Sequence, residues 1–225
     1  MLVYDIEKNY QGADRVTPYQ TEQLQTLQMV KRYLAQISKA ERETLKESLA
    51  DYLAFRDAVD AFQENYFHDI CNRKCYQSKL SACCSRDGII TFFADVIINA
   101  LMADPAALER LEDVLTRPHE GFKCVFLGQE GCLWQIKPIV CEMFLCDAAE
   151  KAVLKENPVA RKRWDDLVRQ KKAYTWPDRP VLFDTLEQIC IEVGYISPLM
   201  FLHNSPGLLR VKRQRLKNTA SGKKK

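Results

Sequence analysis

The sequence lacks a hydrophobic run long enough to cross a membrane. Its most apolar stretch, residues 88–103, has 16 residues and includes Asp95 and Asn99, whereas a spanning helix needs about 20 apolar residues. The first 15 residues have no basic region followed by an apolar run, so they do not resemble a signal peptide. We therefore expect a cytoplasmic protein with no membrane partner.

The sequence also lacks the common catalytic signatures. It contains no glycine-rich phosphate loop, no recognisable catalytic triad and no paired-carboxylate motif. The fragment FLGQEG reads as a turn and not as a nucleotide-binding fingerprint. The sequence therefore leaves open whether the protein is an enzyme.

The composition is that of a folded protein. The chain has 225 residues, of which 47% are hydrophobic, which is enough for one domain with a core and excludes wholesale disorder. From Arg210 onward there are eight Lys or Arg and no acid, so 25 bases and 30 acids remain in the rest of the chain. This basic end could contact nucleic acid. Because no aromatic residues lie among its charges to stack on bases, we favour a solvated tail.

Hydrophobic spacing and capping signals predict a mainly α-helical fold. Ser38 and Glu41 form a capping-box pattern, and apolar residues then recur at helical spacing from Leu45 to Ile70. This predicts one helix of about thirty residues, with Cys71 at its C-terminal end. Further helices are predicted over residues 21–36, in the later part of 88–103, after Asp104 and after Asn157, and over residues 181–193.

The chain divides into four predicted parts around an irregular, cysteine-rich metal-binding centre. Residues 1–66 form an N-terminal helical extension, which starts with an irregular lead-in over residues 1–20. Residues 67–148 form the cysteine-cluster domain, residues 149–209 form helices that pack on it, and residues 210–225 form the basic tail. Within the centre, Gly128 to Gly131 can supply the turn of a short β-hairpin.

Eight cysteines fall within residues 71–146, and they are the feature of the sequence that most needs an explanation. A reducing cytoplasm disfavours a disulfide framework, and dense cysteine there points to metal binding or redox chemistry. Cys190, alone in an apolar helical pattern, is by contrast expected to be a buried thiol. The predicted metal ligands are Cys71, Cys75, Cys83, Cys84, Cys124, Cys132, Cys141 and Cys146.

The spacing of these thiols does not identify the metal. Thiolates are soft ligands that favour zinc, Cu(I) or iron–sulfur clusters. The two-residue knuckles of structural zinc sites and the repeated two-residue gaps of ferredoxins are both missing. Scattered cysteines suit an iron–sulfur cluster better, so this is the preferred cofactor and zinc is the alternative.

The downstream cysteines carry a resemblance to a known family. KCVFL at residues 123–127 and GCLWQIKPIVCEMFLC at residues 131–146 resemble the second motif of the prokaryotic CxxCxxCC (YkgJ-type) cysteine-cluster family, described as zinc- or iron-chelating domains. The upstream group, which ends in the pair Cys83–Cys84, resembles the first motif. The resemblance covers about residues 67–148. Trp134, Lys137 and Glu142 depart from the family pattern, and the gap between Cys75 and Cys83 is wider.

The resemblance implies a metal-binding protein, with a role in electron transfer, metal sensing or assembly and a possible protein partner. The same family includes a flagellin lysine-N-methylase, so an S-adenosylmethionine-dependent protein lysine methyltransferase is one alternative. A zinc-stabilised, nucleic-acid-associated factor that uses the basic tail is the other.

Individual side chains near the cysteines also carry expectations. The side chains of Cys83 and Cys84 should diverge, because neighbours in extended backbone point to opposite sides, and Cys124 could face Cys132 across the hairpin. His68 is interpreted as a surface or partly packed residue. The other two histidines, His119 and His203, are expected in loops. Arg73 and Lys74 would either stabilise thiolates or be solvated.

Overall fold

The protein is mainly helical, as the sequence predicts. The computed structural model describes residues 16–81, 83–85, 90–119, 121–176 and 180–204. The predicted basic tail, residues 210–225, and the first 15 residues of the predicted lead-in therefore lie outside the described residues. The helices are α1 (Pro18–Gln36), α2 (Lys39–Ser48), α3 (Ala50–Phe67), α4 (Phe93–Met102), α5 (Pro105–Thr116), α6 (Ile139–Glu142), α7 (Asp147–Ala149), α8 (Pro158–Thr175) and α9 (Leu182–Glu192).

Helix α1 begins three residues before the predicted start. Thr17 caps it by accepting a hydrogen bond from the amide of Gln20, and the Gln20 side chain returns a bond to the Thr17 amide. Pro18 occupies the first helical position, where its missing N–H costs no hydrogen bond. The end of the predicted lead-in is thus a helix start.

The long helix predicted from Ser38 to Ile70 is wrong in two respects. The capping box of Ser38 and Glu41 is present, but α2 ends at Ser48. The Leu49 amide bonds to the Lys46 carbonyl, three residues back, and this tighter turn buries Leu49 completely. After α3 the chain continues through a π-helix, His68–Tyr76, so the helical path extends past Cys71.

The core lies where the long helices cross. Helix α1 packs on α4 and α5, α3 packs on α8, and α9 packs on both α4 and α8. Helix α4 is nearly buried on all sides, and among its buried residues are the polar Asp95 and Asn99. Buried polar groups need hydrogen-bond partners, and both side chains find theirs in the cysteine-rich region described below.

The remaining regular structure is small. A two-stranded antiparallel sheet, β1 (Leu127–Gly128) and β2 (Gly131–Cys132), confirms the predicted hairpin. Gly131 has a φ of +121°, a conformation that glycine tolerates and other residues rarely adopt. A second π-helical turn, Glu150–Leu154, and a 3-10 turn, Leu202–Asn204, complete the elements. Within the described ranges, no helix combines the length and hydropathy that a bilayer crossing requires.

Candidate metal centre

The upstream cysteines lie on a π-helix and the turn that follows it. Cys71 and Cys75 are four residues apart on the π-helix that extends α3. The carbonyl of Cys75 accepts hydrogen bonds from the amides of Leu80 (3.0 Å) and Ser81 (3.2 Å), which turn the chain back on itself. This turn carries the chain from the end of the helix to the vicinal pair.

Cys83 and Cys84 point toward each other, so the prediction that their side chains diverge is wrong. The Cys84 amide donates to the Ser81 carbonyl at 3.0 Å, and Ser81 has a φ of +38°. The backbone is therefore turned here and not extended, and the alternation of side chains in extended backbone does not apply. The Cys83 thiol hydrogen-bonds to the Cys84 sulfur.

The two cysteine-bearing arms of the chain meet through their backbones. Ser85 forms an antiparallel bridge with Lys123, and the Cys124 amide donates to the Cys84 carbonyl at 3.0 Å. The Lys123 ammonium group also donates to the Ser81 carbonyl at 3.3 Å. Segments almost forty residues apart in sequence are thereby adjacent at the cysteines.

The hairpin places Cys132 opposite Leu127. Cys124 lies three residues before β1, and its carbonyl accepts the Leu127 amide at 3.0 Å. The expectation that Cys124 faces Cys132 across the hairpin is therefore wrong in register. The Tyr76 hydroxyl donates to the Gly128 carbonyl at 3.3 Å and ties the π-helix to the hairpin.

Helix α4 holds one side of the segment that carries Cys141. The Asn99 side-chain oxygen accepts the Ile136 amide at 2.8 Å, and the Asp95 carboxylate accepts the Ile139 amide at 3.0 Å. Asp95 and Asn99 are one turn apart on the helix, so both reach the same extended segment. Cys141 follows within the short helix α6.

Helix α3 holds the other side of this segment. The buried guanidinium group of Arg56 donates to the Lys137 carbonyl at 2.8 Å and to the Tyr52 hydroxyl at 3.1 Å. The Gln63 amide donates to the Glu142 carbonyl at 3.0 Å. The backbone around Cys141 is thus fixed from two helices by protein hydrogen bonds alone.

Most of the predicted ligands line a single cavity of about 620 Å³. One face of α3, which includes Asp57, Asp60 and Glu64, forms the opposite wall. Cys75 is on the same π-helix as Cys71, and Cys146 is near enough to Cys71 to raise its pKa. The six cysteines that line the cavity are Cys71, Cys83, Cys84, Cys124, Cys132 and Cys141.

The thiols perturb one another. Burial raises the pKa of Cys124 to about 12, and the neighbouring Cys132 and Cys141 contribute to the shift. Burial likewise raises the pKa of Cys71 to about 11. The hydrogen bond from Cys83 lowers the pKa of Cys84, and the same bond raises that of Cys83. Since a nearby cation favours thiolates, a bound metal would oppose the upward shifts.

The charged side chains of the π-helix pair with neighbouring side chains. Arg73 and Lys74 both contact Asp69, at 3.4 and 2.9 Å, and all three are exposed. This favours the solvated alternative for the two cations. His68 pairs with Glu64 at 3.0 Å and is partly exposed, as expected.

Lys137 is a cation at the cavity wall, next to the thiols. It pairs with the buried carboxylate of Glu142 at 2.9 Å. Burial lowers the pKa of Lys137, but the Glu142 carboxylate outweighs it, so the net shift is upward. The lysine therefore remains a cation, and it also acts on the charge of Cys132 and Cys83.

The donor set fits a soft metal in its chemistry, because thiolates are the ligands that zinc and iron–sulfur clusters take. As the side chains stand, the described part of the chain holds no three His, Cys, Asp or Glu residues in a group able to bind a metal ion. Binding would therefore need thiol side chains to turn further into the cavity. Six of the cysteines already line its walls.

Sequence reasoning missed a buried ionic cluster at the far end of the chain. His203, expected in a loop, is fully buried in the 3-10 turn and contacts Asp184 at 2.9 Å and Glu187 at 3.2 Å. The available signal was two acids three residues apart on the apolar face of α9. His119 is partly exposed, and its ring nitrogen lies 2.8 Å from the Lys123 carbonyl, which agrees with the predicted loop.

Comparisons with protein-family models, curated proteins and solved structures give no match for this chain. The resemblance to the cysteine-cluster family thus depends on the motif residues alone and remains a prediction.

Proposed function

We propose that this protein binds a metal through its clustered cysteines, as an iron–sulfur cluster in preference to zinc. The observation that supports the proposal best is the cavity itself, because six of its lining residues are cysteines from two distant parts of the chain. Unrelated structural thiols have no reason to share one cavity. Electron transfer, metal sensing or metal assembly are the roles that such a centre supports.

The mutual effects of the thiols suggest how the ligands divide. Cys84, Cys124, Cys132 and Cys141 influence one another's pKa and make up one candidate set of four. Burial has the largest effect on the pKa of Cys71, followed by the charges of Cys83, Cys146 and Cys75, and Cys83 also hydrogen-bonds to Cys84 of the first set. Four thiolates satisfy either a tetrahedral zinc ion or one cluster.

Anaerobic purification followed by visible absorbance and analysis for iron, sulfide and zinc tests this proposal. We expect a coloured protein with iron and acid-labile sulfide. A colourless protein with stoichiometric zinc would support the alternative metal. Protein that contains neither, and takes up neither on reconstitution, would refute metal binding.

Paired cysteine variants test the location of the site. Cys132→Ala should reduce metal content, because it removes a thiol from the cavity wall. Cys190→Ala is the matched control, since Cys190 is a fully buried thiol in helix α9 and should leave the metal content unchanged. Equal metal content in both variants would count against Cys132 as a ligand.

A second candidate function, an enzyme of the methyltransferase type, is favoured by the volume of the cavity. About 620 Å³ lies within the usual range for small-molecule pockets and leaves room beside a metal. Calorimetric titration of the full chain with S-adenosylmethionine tests this function. Saturable binding that is lost when Phe144, at the cavity wall, is replaced by Asp would support it, and no binding would exclude it.

A further inference from the structure

A second, much smaller cavity lies inside the helical core, away from the thiols. It offers about 10 Å³ to a molecule of the size of water, close to the minimum that one water molecule requires. Helices α1, α4 and α5 and the segment after β2 surround it. Its lining consists of Gln23, Leu27, Val96, Asn99, Leu111, Leu115, Phe126 and Trp134.

Two buried hydrogen-bond donors of this lining lack partners among the described residues. They are the side-chain Nε2 of Gln23 and the indole Nε1 of Trp134. Gln23 is 2% exposed and Trp134 is 6% exposed, so bulk water does not satisfy either. A buried donor without a partner carries a large desolvation cost, and two such donors on one cavity call for a shared acceptor.

We propose that this cavity is a binding site for a single structural water molecule. The water accepts hydrogen bonds from Gln23 and Trp134 with its two lone pairs. It donates to the side-chain oxygen of Asn99, which already accepts the Ile136 amide at 2.8 Å and has a second lone pair. Three hydrogen bonds are typical of a buried water. The remaining lining is apolar and uncharged, so an ion would lose more hydration than this site returns.

The water has a structural consequence for the cysteine-rich region. It connects α1 and α4 to Trp134, which is two residues after Cys132 and whose backbone amide hydrogen-bonds to the Cys132 sulfur. The water thus helps to fix the downstream arm against the core. This inference concerns the folded chain and does not depend on the proposed metal.

A cavity-filling substitution tests the proposal by comparing two backgrounds. Val96→Ile adds one methylene to the lining. If it displaces the water, the side-chain donors of Gln23 and Trp134 lose their acceptor. The Tm of the otherwise wild-type chain should then fall by at least about 4 °C. In the double variant Gln23→Met, Trp134→Phe, which has no donors to strand, the same substitution should leave the Tm unchanged or raise it.

The comparison separates displacement of water from simple crowding. Steric strain from the added methylene would lower the Tm equally in both backgrounds, and that result would overturn the proposal. Far-UV circular dichroism establishes that the double variant is folded. If it is not, Gln23→Met alone serves as the second background, where the loss should be about half.

Direct detection comes from NMR of the ¹⁵N-labelled full chain. The indole N–H of Trp134, assigned by its disappearance in Trp134→Phe, should show a cross-relaxation peak at the water frequency together with slow hydrogen exchange. An indole that exchanges slowly without any water contact would show a dry cavity and refute the site.

Discussion

Replacing His203 with leucine should destabilise the protein strongly. The imidazole is fully buried, with Asp184 at 2.9 Å from one ring nitrogen and Glu187 at 3.2 Å from the other. Removing the cation from a buried ion pair costs about 3–5 kcal/mol, because the carboxylates remain in a poorly solvated site. For a chain of this size, that corresponds to a Tm lower by roughly 6–20 °C.

The matched control is His68→Leu. His68 also lies 3.0 Å from a glutamate, Glu64, but this pair is exposed on the surface of α3 and the π-helix. Exposed pairs contribute less than about 1 kcal/mol, so the control should shift the Tm by only a few degrees. The contrast tests burial, since each site places a histidine within about 3 Å of a carboxylate (2.9 Å for His203 and 3.0 Å for His68).

The pH dependence gives the prediction a second, independent readout. Burial alone lowers the pKa of His203, but hydrogen bonds and charges from Glu187 and Asp184 outweigh it, so the pKa lies above its usual value of 6.5. Asp95 of α4 also acts on this histidine through its charge. A raised pKa stabilises the fold fully below pH 6.5, and this stabilisation is lost as the pH rises through the folded-state pKa.

Urea denaturation between pH 6 and 9 measures this effect. The wild type should lose stability with rising pH, and His203→Leu should show a flatter profile over the same window. Adding Glu187→Gln to His203→Leu should recover part of the stability, because it removes one of the two facing carboxylates. Equal losses in the His203 and His68 variants, or a wild-type profile that rises with pH, would refute the reasoning.

Two further predictions concern the local structure. Ser38→Ala should lower the free energy of unfolding by about 1 kcal/mol, because it removes the side-chain cap of α2. The control, Ser48→Ala at the other end of the same helix, should have a smaller effect. Urea denaturation of both variants measures the difference, and equal losses would argue against the cap. Treatment with a chelator should increase hydrogen exchange at the amides of Cys84 and Cys124. The Ile139 amide, which is hydrogen-bonded to the buried Asp95 carboxylate, should stay protected. Equal loss of protection at all three amides would contradict the prediction.

The sequence predicted the helices best where their ends carry local signals. The Ser38–Glu41 capping box and the Asn157–Pro158 start both appear as expected, because a cap depends on residues three apart. The start of α1 has the same kind of signal in Thr17 and Gln20. This start is not predicted because the prediction relied on hydrophobic periodicity, which begins only after it. A helix cap depends on local residues and does not require such periodicity.

The break at Leu49 and the π-helix could not be predicted from periodicity. Apolar residues continue at helical spacing across Leu49 and stop at Ile70, near the start of the π-helix, so the pattern does not reveal whether a turn is tight, regular or wide. The break buries Leu49 in the core, and the π-helix presents Cys71 to the cavity. Both are decided by contacts with other helices that the local sequence does not contain.

For the candidate site, the sequence predicted which residues gather but not how they are arranged. Spacing placed eight thiols in one region, and six of them line one cavity. The register of the hairpin and the contact of Cys83 with Cys84 were wrong, because both depend on turns. A positive φ at Ser81, which sets up the second of these turns, is not readable from residue type.

The buried polar residues of α4 attach the downstream cysteine-bearing arm to the core through the protein's own hydrogen bonds. Asp95 and Asn99 interrupt an otherwise apolar helix, which costs stability unless each finds a partner. Both accept backbone amides from the segment between Cys132 and Cys141, and Arg56 donates to the same segment from α3. The core therefore holds the backbone of the downstream arm in place. On the proposed function, metal binding would then complete a partly organised site and would not have to fold the chain, as it does in a zinc finger.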